Sequence, residues 1–259
     1  MMENSSTNSL PTIASMWDFN DVESTRERFL RCSKREDVQL DAGYAAELQT
    51  QIARTYSLQG NYTEAHRILD AVTLMSGYTL PAAKVRYLLE LGRTYRSSGE
   101  ATRSLPYFGE AEALATDHEL WRLAIDAVHM TAIAEHKAED RIAHNLRGLK
   151  LVDEHPEQHG WKHALLNNLG EDYLSAHRYA DAIATFSLLI DYQREHYGEA
   201  DIYTIKDIAK AQRLNGNPEF SRQAMRDALA TLNAKGLDDM WIREELELAE
   251  RSIQENKLS

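Results

Sequence analysis

The residues of this chain best placed to do chemistry are its ten histidines. His155, His159 and His163 recur every four residues, a spacing that would stack three imidazoles on one helix face and suit a metal such as zinc. Pro156 and Gly160 interrupt that run, and neither sits well inside a helix. The segment therefore reads as an exposed loop feeding the next helix. His129 and His136 are seven apart and share a helix face, with Glu135 beside His136. They read as polar groove residues, with His129 a candidate ligand contact. Tyr56, Tyr95 and Tyr173 suggest an aromatic cage, but their positions in a repeat assign them to packing. Trp17, Trp121, Trp161 and Trp241 sit at helix starts or caps and read as structural. Cys32 is the only cysteine, which excludes an intramolecular disulfide and argues against a cysteine-based metal cluster. No Gly-x-Ser-x-Gly, Gly-x-x-x-x-Gly-Lys-Ser/Thr, His-Glu-x-x-His or Gly-x-Gly-x-x-Gly occurs. The common hydrolase, phosphate-loop, metalloprotease and dinucleotide chemistries lose their usual motifs. The expectation is a protein that is not an enzyme, with no cofactor and no metal.

Any binding residues must be held by a regular scaffold, because the chain repeats. Ile52, Leu91, Met130, Leu169 and Ile208 stand 39 residues apart and are all apolar. The next position reads Ala53, Gly92, Thr131, Gly170, Ala209, all small. A later column, Ala65, Ser104, Ala143, Ala182, Ser221, is small again. Small residues at such points let two antiparallel helices approach closely. A fourth column, Leu69, Phe108, Arg147, Phe186, Met225, is bulky and apolar except at Arg147. Gly60, Gly99 and Gly216 fall between the two helices of a pair, and Gly77, Gly160, Gly198 and Gly236 between pairs, where left-handed helix ends are wanted. Asn61 with Glu64 predicts a capping box. Asn217 before Pro218 predicts a cap followed by proline at the first helical position.

The order apolar–small–x–x–Tyr–x–x–x–Gly–x–Tyr–x–x–Ala, carried by Ile52, Ala53, Tyr56, Gly60, Tyr62 and Ala65, resembles the tetratricopeptide repeat. That family's usual period is about 34 residues. The longer stride here resembles the extended repeats of bacterial peptide-sensing and regulatory proteins. Repeat three departs from the pattern, with Ala134 for the tyrosine and Arg147 and Lys150 at apolar positions, and repeat five has Gln212 for the tyrosine. The resemblance implies an all-α, right-handed superhelical solenoid of about five helix pairs over residues 42–236. A capping helix is expected over 20–35 and a C-terminal one over 237–257. Residues 13–259 read as a single domain, because repeat arrays fold as one quasi-linear unit.

The resemblance also implies that the first helix of each pair lines a concave groove. On that reading the groove-facing positions carry Arg54, Arg93, Arg96, Lys206, Lys210 and Arg213, joined by His129, Asn167, Asn168 and Glu171. Arginine forks and lysine ammonium groups are natural donors to carboxylates. Asn167 or Asn168 could bond both groups of a peptide backbone. The competing reading pairs these cations with Glu47, Glu90, Glu171 or Asp207 on the helix surface, where exposed ion pairs contribute about 0–1 kcal/mol.

A formal net charge of -12 opposes long-range attraction to nucleic acid or anionic membrane. No run approaches the roughly 20 apolar residues of a membrane span. Residues 1–12 lack the basic start and apolar run of a signal peptide and read as a disordered tail. These features lead to an expected cytoplasmic protein that binds a protein or peptide partner. A homodimeric scaffold is the alternative, and a histidine-based metal protein or enzyme the remote one.

Overall fold

The computed structural model describes residues 10–258. The expected tail lies outside the described residues for positions 1–9. Positions 10–12 are held in place: Leu10 packs on the core, the Tyr44 hydroxyl donates to the Pro11 carbonyl at 2.7 Å, and Thr12 caps a short turn over Ile13–Met16. The chain forms two compact units, Met1–Glu135 and His136–Ser259, where the sequence reads as one domain.

In the first unit, α1 (Val22–Cys32) and a five-residue α2 (Glu36–Leu40) stand where one capping helix over 20–35 was expected. Two helix pairs follow, α3 (Ala42–Leu58) with α4 (Tyr62–Val72) and α5 (Pro81–Ser97) with α6 (Ala101–Asp117), and then α7 (Trp121–Ala134). The second unit runs from α8 (Ala138–Glu154) through the pairs α9 (Lys162–Ser175) with α10 (Tyr179–Tyr197) and α11 (Ile202–Leu214) with α12 (Pro218–Ala234) to α13 (Met240–Leu258). No strand occurs among the described residues.

The small and bulky columns meet as their spacing requires. A Cβ added to Gly92 would lie 2.5 Å from Phe108 Cε1, and one added to Gly170 would lie 2.5 Å from Phe186 Cε1. Both phenylalanines are fully buried, so each aromatic ring presses directly on the opposite backbone. Burial of each ring contributes about 1.5–3 kcal/mol. The tyrosine column is also packing: Tyr95 stacks on Tyr107, and Arg26, Arg103 and Arg178 lie 4.6, 4.1 and 4.6 Å over the rings of Tyr56, Tyr95 and Tyr173.

The hairpin turns use positive φ at one repeat position: Gly60, Gly99, His177 and Gly216. His177 takes this conformation without being glycine, at φ 59°. Gly198 and Gly236 end helices in the left-handed region as expected, whereas Gly77 and Gly160 lie in 3-10 turns without it. Asn61 and Asn217 cap α4 and α12 by accepting from the amides of Glu64 and Phe220.

Repeat three does not follow its neighbours. Its turn position is Ala138, already the first residue of α8, and Glu135 before it is extended. The division between the two units falls here. Ala143 and Arg147, the expected inward columns, are exposed, and Ile142, Asn145 and Gly148 are buried in their place. A charged Arg147 resists burial without a partner, so α8 turns a different stripe to the core.

Candidate functional site

The first helices of the pairs carry a polar column that the repeat reading passed over. Gln51, Glu90, His129, Asn168 and Asp207 stand one residue before the apolar column, and each is polar. In the first unit this column is a bonded ladder. The Trp17 indole donates to Gln51 Oε1 at 2.9 Å, and Gln51 Nε2 donates to Glu90 Oε1 at 3.1 Å. The same Glu90 oxygen accepts from Arg93 Nη1 at 2.6 Å and lies 3.5 Å from Arg54 Nη1. Arg93 also donates to Asp126 of α7.

Glu90 is only 2% exposed, so this cluster is an internal charge network rather than a solvated surface. At Arg93, burial alone would lower the pKa, but Asp126 and Glu90 outweigh it and hold the guanidinium above its ordinary value. At Asp126 burial opposes ionisation, and the neighbouring Arg93 and Arg54 overcome it, so the carboxyl lies below the usual range. Arg54 is pushed down, first by burial and then by Arg93. Its guanidinium lies 5.2 Å from the Trp17 ring and 5.3 Å from that of Phe19, a cation–π arrangement. Arg54 and Arg93 are thus committed to the fold. Arg96, one turn beyond Arg93, is exposed and has no ion pair or hydrogen bond among the described residues. His129 is partly buried. Desolvation lowers its pKa against the pull of Asp126, with Arg93 and Arg96 adding to the lowering.

The second unit places its candidates on α9 and α11. Arg213 makes a two-pronged bond to Glu245 of α13, at 2.7 and 2.9 Å, and Ser221 donates to the same carboxylate at 2.9 Å. Bidentate pairing of this kind orients as well as neutralises, and Arg213 is a tie to the terminal helix. Lys206 pairs with Asp207 at 3.0 Å. Glu171 is raised above the usual carboxylate range, chiefly by burial and then by Asp207, with Lys210 and Lys206 pulling the other way. Lys210 and Asn167 are half-buried and have no ion pair or hydrogen bond among the described residues. Asn167 stands one helical turn before Glu171, so the two share a face. Asn168, in the polar column, is partly buried beside them. Asp172 on the neighbouring stripe is bonded by Arg141 and by Asn145 at 2.9 Å.

Seven of the ten candidates divide into two sets, with His129, Asn168 and Glu171 partly buried beside them. Arg54, Arg93, Lys206 and Arg213 are paired with Glu90, Asp126, Asp207 and Glu245. Arg96 in the first unit, and Asn167 and Lys210 in the second, keep polar groups available. The histidine run is broken, with His155 before a 3-10 turn over Pro156–Trp161 and His163 inside α9. His163 Nε2 lies 3.0 Å from Gln193 Nε2, and so acts as an acceptor. Among the described residues no group of three or more His, Cys, Asp or Glu is arranged to hold a metal ion. No helix among them is long and apolar enough to cross a membrane.

Antiparallel helix pairs with a small-against-bulky contact repeated at one stride define a helical-repeat protein. The fold is that of tetratricopeptide-like repeats, as solved structures confirm. The apo form of RapI superposes with a TM-score of 0.73 at 12% identity, over 95% of this chain and 70% of that one. The kinesin light chain TPR-like repeats of Podosopora anserina give a TM-score of 0.59 at 17% identity, over 73% and 94%. The Cut9 component of the APC/C hetero-tetramer Cut9–Hcn1 gives 0.61 at 16%, over 89% of this chain and 40% of that one. No protein-family sequence profile matches the chain. No curated protein sequence matches it either.

Proposed function

We propose that this chain is a non-catalytic binding module, taking an extended segment of a partner protein on the face formed by the first helices of the pairs within a unit, α9 and α11 in the second. A carboxylate-bearing or acidic segment is the favoured ligand. The observation that carries this reading is the pair Asn167 and Lys210, which make no ion pair or hydrogen bond among the described residues, on adjacent first helices of the second unit and flanking the half-buried Glu171. An ammonium group suits a carboxylate, and a side-chain amide offers a donor and an acceptor to a peptide backbone. Arg96 plays the same part in the first unit. Similar folds support protein partners, since the Cut9 structure is itself a complex with Hcn1. The function is exercised by binding in the cytoplasm, without metal, cofactor or nucleic acid.

The test is fluorescence anisotropy with labelled peptides that differ in acidic content and in a free or amidated C-terminus. Acidic peptides should bind, lose affinity as salt rises, and bind about tenfold more weakly to the Lys210→Glu protein. Equal affinity for neutral peptides, or indifference to both Lys210→Glu and Arg96→Glu, overturns the assignment.

A second reading, a homodimeric scaffold, draws on the exposed Leu237, Met240 and Trp241 around the start of α13. Light scattering that finds a dimer, together with a face unresponsive to peptides, favours it.

A further inference from the structure

Glu171 of α9 and Asp207 of α11 meet on the second unit's binding face, and their carboxyl groups share a side-chain hydrogen bond. Ionised carboxylates only accept hydrogen bonds, so this bond exists while the pair holds a proton. Asp207 is 8% exposed and pairs with Lys206 Nζ at 3.0 Å. Asp207 is therefore the charged half of the pair, and the proton resides on Glu171. Burial is the first reason that Glu171 keeps it and Asp207 the second, with Lys210 and Lys206 opposing.

The groups that act most on Glu171 all come from α11. Of the other elements packed on α9, α8 turns Arg141 to Asp172 and Asp153 to Lys162. The α10 helix turns the Tyr192 hydroxyl to the His159 carbonyl, and the 3-10 turn sets the His159 ring against that of His196. On this face the shared proton thus answers to Asp207, Lys206 and Lys210.

The proton changes what the face offers a ligand. Lys210 lies one turn beyond Asp207 on α11, and Asn167 one turn before Glu171 on α9. A carboxylate drawn to Lys210 arrives beside the Glu171 carboxyl. Neutral Glu171 adds no charge there. Ionised Glu171 sets a like charge against the incoming carboxylate and competes with it for the ammonium group. A ligand that favours the protonated face draws a proton onto that face from the solvent, and loss of the proton weakens its hold by the same factor.

We infer that binding of an acidic segment at this face is coupled to uptake of one proton by the Glu171–Asp207 pair, so that the segment is held under mildly acidic conditions and released as pH rises. The inference rests on the reading of α9 and α11 as the binding face. The test is isothermal titration calorimetry of the full chain with an acetylated, glutamate-rich peptide that lacks histidine and cysteine, in buffers of low and high ionisation enthalpy. Affinity should fall about fivefold or more between about pH 5.5 and pH 7.5, with proton uptake from the buffer on binding. Glu171→Gln, which keeps the side chain neutral, should hold the low-pH affinity throughout and remove this share of the uptake. Asp207→Asn should move the fall to lower pH, because Glu171 then loses the neighbour that helps it keep the proton. Circular dichroism identifies a variant that fails to fold, and the other variant then decides. The same pH profile in the natural protein and in both variants overturns the inference and leaves the binding face standing. Absence of peptide binding at every pH overturns the inference and the binding face together.

Discussion

Gln51 and Glu90 occupy the same position in successive repeats and are bonded to each other, Gln51 Nε2 donating to Glu90 Oε1 across 3.1 Å. The bond joins α3 to α5 inside the first unit, and Arg93 and Arg54 converge on the same oxygen. Glu90 is the hub of this ladder. Removing one partner of a buried ion pair leaves an uncompensated charge, which typically costs about 3–5 kcal/mol. Glu90→Ala should destabilise the protein by that order, measured as a lower urea midpoint. An unchanged midpoint would mean the ladder contributes nothing.

The contact of Gly92 with Phe108 leaves no room for a methyl group. Gly92→Ala should therefore cost about 1–3 kcal/mol by overpacking, despite the better helix propensity of alanine. Phe108→Leu in the same chain should recover part of the loss. A double-mutant cycle measures the coupling, and strictly additive effects would contradict the contact.

Glu171 makes stability depend on pH. Its folded pKa is raised by burial and by Asp207, so the folded state holds this proton more tightly than the unfolded chain. Its favourable contribution is complete below the ordinary glutamate range and is lost as pH rises through the raised value. Relative to Glu171→Gln, the natural protein should therefore lose stability between about pH 4 and pH 7. Chemical denaturation at both pH values checks the sign, and a constant difference would refute it.

Arg213 and Lys210 lie within one turn of α11 but should respond oppositely. Arg213→Ala breaks the bidentate bond to Glu245, whose side chain is 6% exposed, and should cost about 3–5 kcal/mol. Lys210→Ala should change stability by less than about 0.5 kcal/mol, while weakening the binding of acidic peptides. Thermal melts of the two variants distinguish a structural from an available cation.

His177 holds a left-handed backbone that costs a non-glycine residue roughly 1–2 kcal/mol. His177→Gly should relieve most of this and raise the melting temperature, less the 2.8 Å contact of His177 Nδ1 with the Tyr179 hydroxyl. A lower melting temperature would show that the contact outweighs the strain.

The helix pairs were legible from the columns because helix formation and close packing depend on residues a few positions apart. Gly92 with Phe108, Gly170 with Phe186, and the caps at Asn61 and Asn217 all fall where the spacing places them. The irregularity of repeat three was also written in the chain, as Ala134, Ala138 and Arg147. What those residues do to the path, an extended Glu135 and a turned α8, follows only from how neighbouring helices compete for the apolar stripe. The polar column through Gln51 and Glu90 was visible as a pattern, but one polar residue per repeat does not say whether it meets water or a partner.

By itself, the sequence determined the all-helical repeat and its stride, since both rest on local periodicity. Only the tertiary structure decided which cations are spent. Arg93 reaches Asp126 and Arg213 reaches Glu245 from helices more than thirty residues away. An ion pair exists or fails over one or two ångströms, and that distance is set by how helices cross, which no count along the chain records.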